Sequence, residues 1–230
     1  MLKFYYNAAP NPLKVSLFLE EAGLDFKTIP IDTRSGDQHS PGYVAINPNA
    51  KAPAIDDDGV VVFDSNAILL YLAEKTGQFL PPDGLKSRGD LLSWLMFVAT
   101  GVGPFSGQAV HFQNFAPGNH PYARKRYDYE ARRHWCIIDE RLRDRTYMLG
   151  DTYTIVDMAV WGWAGRIPFM FGQDDAMGAF PNLARLVAEI DARPAAVRAC
   201  ALKNQHPFKN EFDDDSMRHL YPQIFAPDPD

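Results

Sequence analysis

The feature that most constrains this chain is a change of pattern at Pro81-Pro82-Asp83-Gly84. Ahead of it, short β-prone runs alternate with one-faced helical runs. Behind it, residues 87 to 225 carry long helical patterns and nothing that reads as a strand. The proline-rich junction is a candidate linker. Two units are therefore expected, a mixed α/β unit over 1–81 and an all-helical unit over 87–230.

In the first unit, Leu2 to Tyr6 is β-prone and stops at Asn7-Ala8-Ala9-Pro10-Asn11-Pro12, which reads as a turn. The run LKVSLFLEEAG follows, with Val15, Leu17, Phe18, Leu19 and Ala22 on an apolar helical face. Gly23 lies where a helix C′ residue belongs. Phe26 to Ile31 reads as a second strand, and residues 34 to 46 as a polar loop with room for a short helix. Ala52 to Ile55 enters a third strand, Asp56-Asp57-Asp58-Gly59 supplies a hairpin turn, and Val60 to Phe63 is a fourth strand. Ser65 is the expected N-cap of a helix over Ala67 to Ala73 that ends near Gly77. In the second unit, ARKRYDYEARRHWCIIDERLRD sets Tyr127, Trp135, Ile138 and Leu142 among charges, as an amphipathic helix does. The tail from Phe212 on, with Asp213-Asp214-Asp215 and the final Pro-Asp-Pro-Asp, is expected to be a surface extension.

Composition narrows the chemistry. The 230 residues include two cysteines, Cys136 and Cys200, 64 positions apart. That excludes a disulfide scaffold, a four-cysteine zinc site and C-x-x-C redox chemistry. Both thiols are expected to be buried and inert. The histidines are scattered without metal-ligand spacing, so no metal is expected. No Walker loop, H-E-x-x-H or G-x-S-x-G occurs, and the glycines at 101, 103 and 107 do not form G-x-G-x-x-G. Lys and Arg number 23 against 29 Asp and Glu, a net charge of -6. That balance argues against a nucleic-acid partner but leaves room for a local basic pocket. With no signal-like start and no 18-residue apolar run, a cytoplasmic location without membrane contact is expected. No protein nucleophile is evident.

Two segments carry positive signals. Asn47-Pro48-Asn49-Ala50-Lys51-Ala52-Pro53-Ala54-Ile55 puts a proline at a strand entry, where it belongs at an edge or beside a special turn. A cis Ala52–Pro53 bond would turn the N–H and C=O of Ala52 toward an extended ligand; a trans bond, the commoner form, makes it an ordinary loop proline. Asp64-Ser65 opens a helix whose N–H groups suit a ligand carboxylate, with the acid beside it for a ligand ammonium. Together they would grip an α-amino-acid head group.

The order β-α-β, connector, β-β-α, the N-P-N-x-K-x-P-A-I segment and the run from Phe63 to Leu72 resemble the amino-terminal domain of glutathione transferases. Thr154-Ile155-Val156-Asp157 resembles the capping box that opens a buried helix in that superfamily. Residues 6–21, 101–112 and 122–130 are most similar to the nu class, whose members include glutathione-dependent disulfide-bond reductases. The resemblance implies a thioredoxin-like domain followed by an all-α domain, a homodimer, and glutathione as co-substrate. It implies that Gln38 and Lys51 meet the glycyl carboxylate, Ala52 before Pro53 pairs with the cysteinyl unit, and Asp64 with Ser65 holds the γ-glutamyl head. Asn11 corresponds to the residue that activates the thiol. The threonine two positions earlier in that pattern is Ala9 here. Three possibilities follow: Asn11 acts alone, a backbone N–H substitutes, or activation is weaker. Arg126 corresponds to an arginine that reaches a second glutathione in the partner subunit, although its basic neighbours also fit a solvated charge run.

A second-substrate pocket is expected between the domains, with Trp94, Phe97, Phe105, His111 and Phe112 as candidates and Trp161 and Trp163 behind them. Aromatics at helical spacing are usually core, so that set is the less specific part of the reading. The expected activity is reduction of small disulfides or peroxides by bound glutathione. Conjugation or aryl-ether cleavage of an electrophile uses the same thiolate, and a non-catalytic binding or regulatory role uses the same fold.

Overall fold

The computed structural model describes residues 1–226. Strand β1 (Leu2–Tyr6) runs into helix α1 (Pro10–Ala22), and β2 (Phe26–Pro30) returns parallel to β1. A 3₁₀ turn over Asp37–His39 and the short helix α2 (Pro41–Val44) lead to the hairpin β3 (Ala54–Asp57) and β4 (Val60–Phe63), then α3 (Ser65–Thr76). The sheet order is β2-β1-β3-β4, with β3 antiparallel to both neighbours. Alternation along β1 sends Leu2, Phe4 and Tyr6 into the main core against α1 and α3. The opposite face is smaller, with Tyr5 packing on Tyr43 of α2. Gly23 and Gly77 end α1 and α3 in the left-handed conformation, as their positions predict.

Two boundaries differ from expectation for local reasons. The α1 helix begins at Pro10, so the two prolines are its first turn and not a preceding loop. The β3 strand extends through Asp57, so the hairpin turns on Asp58 and Gly59 alone, both at positive φ.

Helix α4 (Leu85–Phe97) follows the Pro81–Gly84 junction, and a wide π turn over Val98–Val102 leads to α5 (Gly103–Asn114). Then come α6 (Pro121–Leu142), α7 (Ile155–Ala164), α8 (Ile167–Phe171), α9 (Pro181–Asp191), α10 (Pro194–Ala201) and α11 (Asp214–Leu220). The buried axis is α7. Thr154 caps it through Val156 N–H, while Asp157 accepts from Thr154 N–H at 2.8 Å and from Met148 N–H at 2.7 Å. The helical unit clasps α1: Arg193 pairs with Glu21, Arg198 with Glu20, and Tyr6 Oη donates to Leu202 O at 2.8 Å. The last turn of α1 and the end of β1 are thereby tied to the helical unit.

Candidate functional site

Helix α1 has no cap of its own. Its N-cap residue is Ala9, whose side chain can accept nothing, and the first turn holds no acid. Pro10 and Pro12 have no N–H, Ala9 N–H goes to Asn7 Oδ1 at 3.0 Å, and Leu13 N–H goes to Ala9 O at 3.3 Å. Asn11 N–H is the backbone donor left over at this positive helix end.

The Asn11 side chain completes the arrangement. Its Oδ1 accepts from Trp163 Nε1 at 2.9 Å and from Ser65 Oγ at 3.4 Å. An indole N–H can only donate, so the amide oxygen must face Trp163 and the Nδ2 group faces away as a donor. Asn11 is therefore not the side-chain cap of its helix. Behind Ser65, the fully buried Lys14 Nζ lies 3.3 Å from Ser65 Oγ and 3.5 Å from Asn66 Oδ1. Burial lowers its pKa to about 7, against the opposing pull of Asp64. Gly162 lets the Lys14 stem and Pro10 O approach α7: a Cβ there would lie 2.9 Å from Pro10 O.

The Ala52–Pro53 bond is cis, and Ala52 precedes β3 and stands outside its ladder. The loop before it is pinned by Tyr43 Oη and Asn47 Nδ2, which donate to Lys51 O at 2.7 and 2.5 Å, leaving the Lys51 side chain exposed. Asp64, at φ 70°, is the N-cap of α3 and accepts from Asn66 and Ala67 N–H. Ser65, expected as that cap, is the first helical residue. Its hydroxyl points inward to Asn11 because the Asp64 carboxylate already satisfies the helix end. Arg126 is exposed on α6, away from this cluster, and makes no ion pair among the described residues.

The cavity between the units has a volume of about 620 Å³ and abuts Ala9 and Pro10. None of Trp94, Phe97, Phe105, His111 and Phe112 lines it. They pack instead with one another and with residues of α6: Phe97 and Phe105 sandwich the His134 ring, and Phe112 stacks on Tyr127 at 5.3 Å. The His111 ring contacts Tyr221, and partial burial lowers its pKa. The cavity walls are Trp163, Phe115, Phe169 and a C-terminal strap carrying Phe208, Phe212 and Tyr221.

Over residues 212–226 that strap corrects the expectation of a surface extension; the Pro-Asp-Pro-Asp end of the tail lies outside the described residues. Arg34 Nη1 donates to Lys209 O at 2.8 Å, Lys209 N–H donates to Asp32, and the Arg34 guanidinium lies 3.8 Å over the Phe212 ring. Gln38 Nε2 donates to His219 O at 3.0 Å and to Thr33 O, while Gln38 Oε1 is buried without a partner. The amide expected at a glycyl carboxylate is thus held by the strap in this conformation. Cys136 and Cys200 are exposed, not buried, because each faces outward from its helix. Neither lines the cavity, and partial burial of the Cys200 sulfur raises its pKa.

Residues 2–74 match the family model of the glutathione S-transferase N-terminal domain, and residues 121–189 match that of its C-terminal domain. The disulfide-bond oxidoreductase YfcG of Escherichia coli K12 is 38% identical over 206 residues, covering 86% of this chain and 94% of that protein. The chain belongs to the glutathione S-transferase family.

Among solved structures, a family member from Pseudomonas fluorescens Pf-5 with two glutathione bound superimposes with TM-score 0.80 at 34% identity, covering 86% of this chain and 92% of that one. A glutathione transferase from Pseudomonas putida, with one glutathione disulfide bound per subunit, gives 0.79 at 34%, covering 86% and 90%. The thioredoxin-like sheet unit followed by a helical unit is the fold shared with these transferases. Neither family match reaches the strap, which begins after residue 189. Among the described residues no cluster could hold a metal ion, and no helix is long and apolar enough to cross a membrane.

Trp163, expected only behind the pocket, lines it, and Lys14, Phe115, Phe169 and Arg166 join the site without being expected there. The available signal was Trp161-Gly162-Trp163 itself: a glycine between two tryptophans on a buried helix marks a close approach of another segment.

Proposed function

We propose that this transferase reduces small disulfides with glutathione, using Asn11 as the group that holds the glutathione thiolate. The observation that carries the reading is the fixed Asn11 amide: Trp163 and Ser65 occupy its oxygen, so its N–H bonds face outward at an uncapped helix end. A free thiol has a pKa near 8.5. One hydrogen bond to the charged form is worth about 1.5–3 kcal/mol, which lowers that value by roughly 1–2 units. The partial charge of α1 adds to it. Asp64 and Ser65 would take the γ-glutamyl head, Ala52 the cysteinyl backbone, and Lys51 with Gln38 the glycyl carboxylate, once the His219 carbonyl yields Gln38.

The thiolate attacks one sulfur of a disulfide RSSR, forming GS–SR and expelling RS⁻, which takes a proton. A second glutathione thiolate then attacks the mixed disulfide at the glutathione sulfur, giving glutathione disulfide and the second RS⁻. Neither step needs a protein cysteine, in keeping with two cysteines that lie off the cavity. Disulfide reduction is favoured over conjugation by the similarity to a disulfide-bond oxidoreductase and to a transferase that holds glutathione disulfide. Arg126 lies off its own chain's cavity and is the residue we assign to a second glutathione across a homodimer.

The test is steady-state reduction of a small disulfide by glutathione, beside conjugation of an aryl halide, in wild type and Asn11→Ala. Disulfide turnover that falls at least tenfold in Asn11→Ala supports the reading. Equal rates in the two proteins remove Asn11 from the mechanism, and turnover of the halide alone replaces reduction by conjugation.

A further inference from the structure

The cavity carries a charge asymmetry that glutathione binding at α1 does not use. Four cations line it, Arg34, Arg166, Lys203 and Lys209, against one acid, Asp32, in a chain of net charge -6. Two of the four are offset. The Lys209 ammonium bridges Asp213 and Asp215 at 2.9 and 3.0 Å, and Arg34 lies near Asp32 and Glu211. Arg166 and Lys203 have no carboxylate within ion-pair distance among the described residues. One Arg166 N–H goes to Ala8 O at 3.1 Å, which holds the guanidinium beside the 7–9 segment and leaves its other donors free. Both residues also line a small cleft that shares Asn7, Ala8 and Ala9 with the cavity, so they stand on one rim at that segment.

The wall opposite is aromatic. Phe115 stacks on one face of Phe212 at 4.7 Å and Arg34 covers the other, so this wall offers ring edges to the cavity, with Phe169 and Tyr221 at 6.2 and 6.1 Å from Phe115. A volume of about 620 Å³ suits a ring-bearing small molecule. Two unpaired cations on the rim and rings on the wall match a flat apolar body bearing a negative group.

We propose that the second substrate is an aromatic carboxylate: an aryl group attached to the sulfur or carbon that meets glutathione, its ring against the edges of the Phe115–Phe212 wall and its anionic group on Arg166 and Lys203. This deepens the proposed function and rests on its glutathione site. Half of the ring-binding wall comes from the strap, so selectivity for the second substrate is built from a segment outside both family matches. Lys203 and Arg166 select charge, and the strap selects shape.

The experiment measures binding of two stable thioethers, S-benzylglutathione and S-(4-carboxybenzyl)glutathione, by calorimetry. It uses the full chain and the double variant Arg166→Gln, Lys203→Gln. Because both probes are unreactive, the result does not depend on which reaction the enzyme performs. The carboxylate is expected to improve Kd about tenfold in wild type, the scale of a charge-assisted hydrogen bond discounted for solvent. In the double variant the advantage is expected to shrink to within about twofold. Equal affinities in wild type, or an advantage that survives in the variant, overturn the proposal. Loss of binding by glutathione itself would refute the glutathione site and this inference with it. Tight binding with no disulfide turnover would leave the pocket assignment standing and refute only the reduction chemistry.

Discussion

Lys14 is an ammonium group 1% exposed, held by two neutral oxygens and no ion-pair partner, and its burial should be readable as a pH dependence of stability. An ordinary lysine titrates near 10.4, and this one at about 7. The native state therefore releases its proton earlier than the unfolded chain does. Below about pH 7 both states are protonated, and the native protein bears the whole cost of the buried charge. Between about 7 and 10.4 only the unfolded chain is protonated, so stability climbs by about 1.4 kcal/mol per pH unit. Above that window both are neutral and the cost has gone. Between pH 7 and pH 10 the climb amounts to about 4 kcal/mol. Other groups titrate in the same range, so the assay is a difference: urea unfolding of wild type and Lys14→Met at a series of pH values. Methionine matches the unbranched stem that packs against Gly162 and cannot ionise. The stability of Lys14→Met minus that of wild type is expected to fall by about 4 kcal/mol from pH 7 to pH 10. A difference independent of pH would refute the argument, and a difference that rises with pH would mean that the ammonium is stabilised where it sits.

Four further variants have expected outcomes. Ala9→Thr gives α1 the cap it lacks and places a hydroxyl beside Asn11, so stability should rise by about 1 kcal/mol. In the same variant the bound glutathione thiol, followed by its ultraviolet thiolate band against pH, should titrate lower, the added hydroxyl outweighing the closed helix end; an unchanged or higher titration would refute that order of effects. Asp157→Ala strips acceptors from two buried backbone N–H groups, at Met148 and Thr154, and should cost about 3 kcal/mol or more in thermal or urea unfolding. Gly162→Ala forces a methyl group against Pro10 O and the Lys14 stem, so it should lower stability and disulfide turnover together, whereas an effect on stability alone would uncouple α7 from the site. Gly36→Ala puts a Cβ 2.6 Å from the His219 ring at a residue with φ 91°, and should speed proteolysis after residue 206 while leaving 1–200 protected.

What could be read from the sequence was local, and what could not was remote. Gly23, Gly77 and the Thr154–Asp157 capping box are decided by a few neighbouring residues, and all three lie where the pattern puts them. The cap of α3 was misplaced by one residue because Asp64 and Ser65 are both competent caps. Asp64 takes the helix end, and the serine hydroxyl left over goes to Asn11, 54 positions away. The five aromatic pocket candidates show the limit of helical spacing. Periodicity says that α4 and α5 have an aromatic side but not which neighbour covers it: here the His134 and Tyr127 rings of α6 cover Phe97, Phe105 and Phe112, and Tyr221 of the strap meets His111. The strap was invisible for the same reason: its acidic run looks solvated, while its anchors, Arg34 and Gln38, lie 175 and 181 positions upstream of the carbonyls they hold.

The departure at Ala9 looks different once the helix end is on view. Considered alone, an alanine where a threonine is expected is a missing catalytic hydroxyl. In the structure it is also a missing cap, followed by Pro10 and Pro12, which remove further donors, so the end of α1 is left with one backbone N–H and one side-chain amide. Both belong to Asn11. A helix terminus without internal acceptors is more electropositive toward an incoming anion than a capped one, because no side-chain oxygen already neutralises it. The substitution therefore trades a hydroxyl donor for a more open helix dipole. The two effects act on the bound sulfur in opposite directions, and the titration of Ala9→Thr separates them: a lower thiol pKa means that the hydroxyl outweighs the open dipole, and a higher one means the reverse.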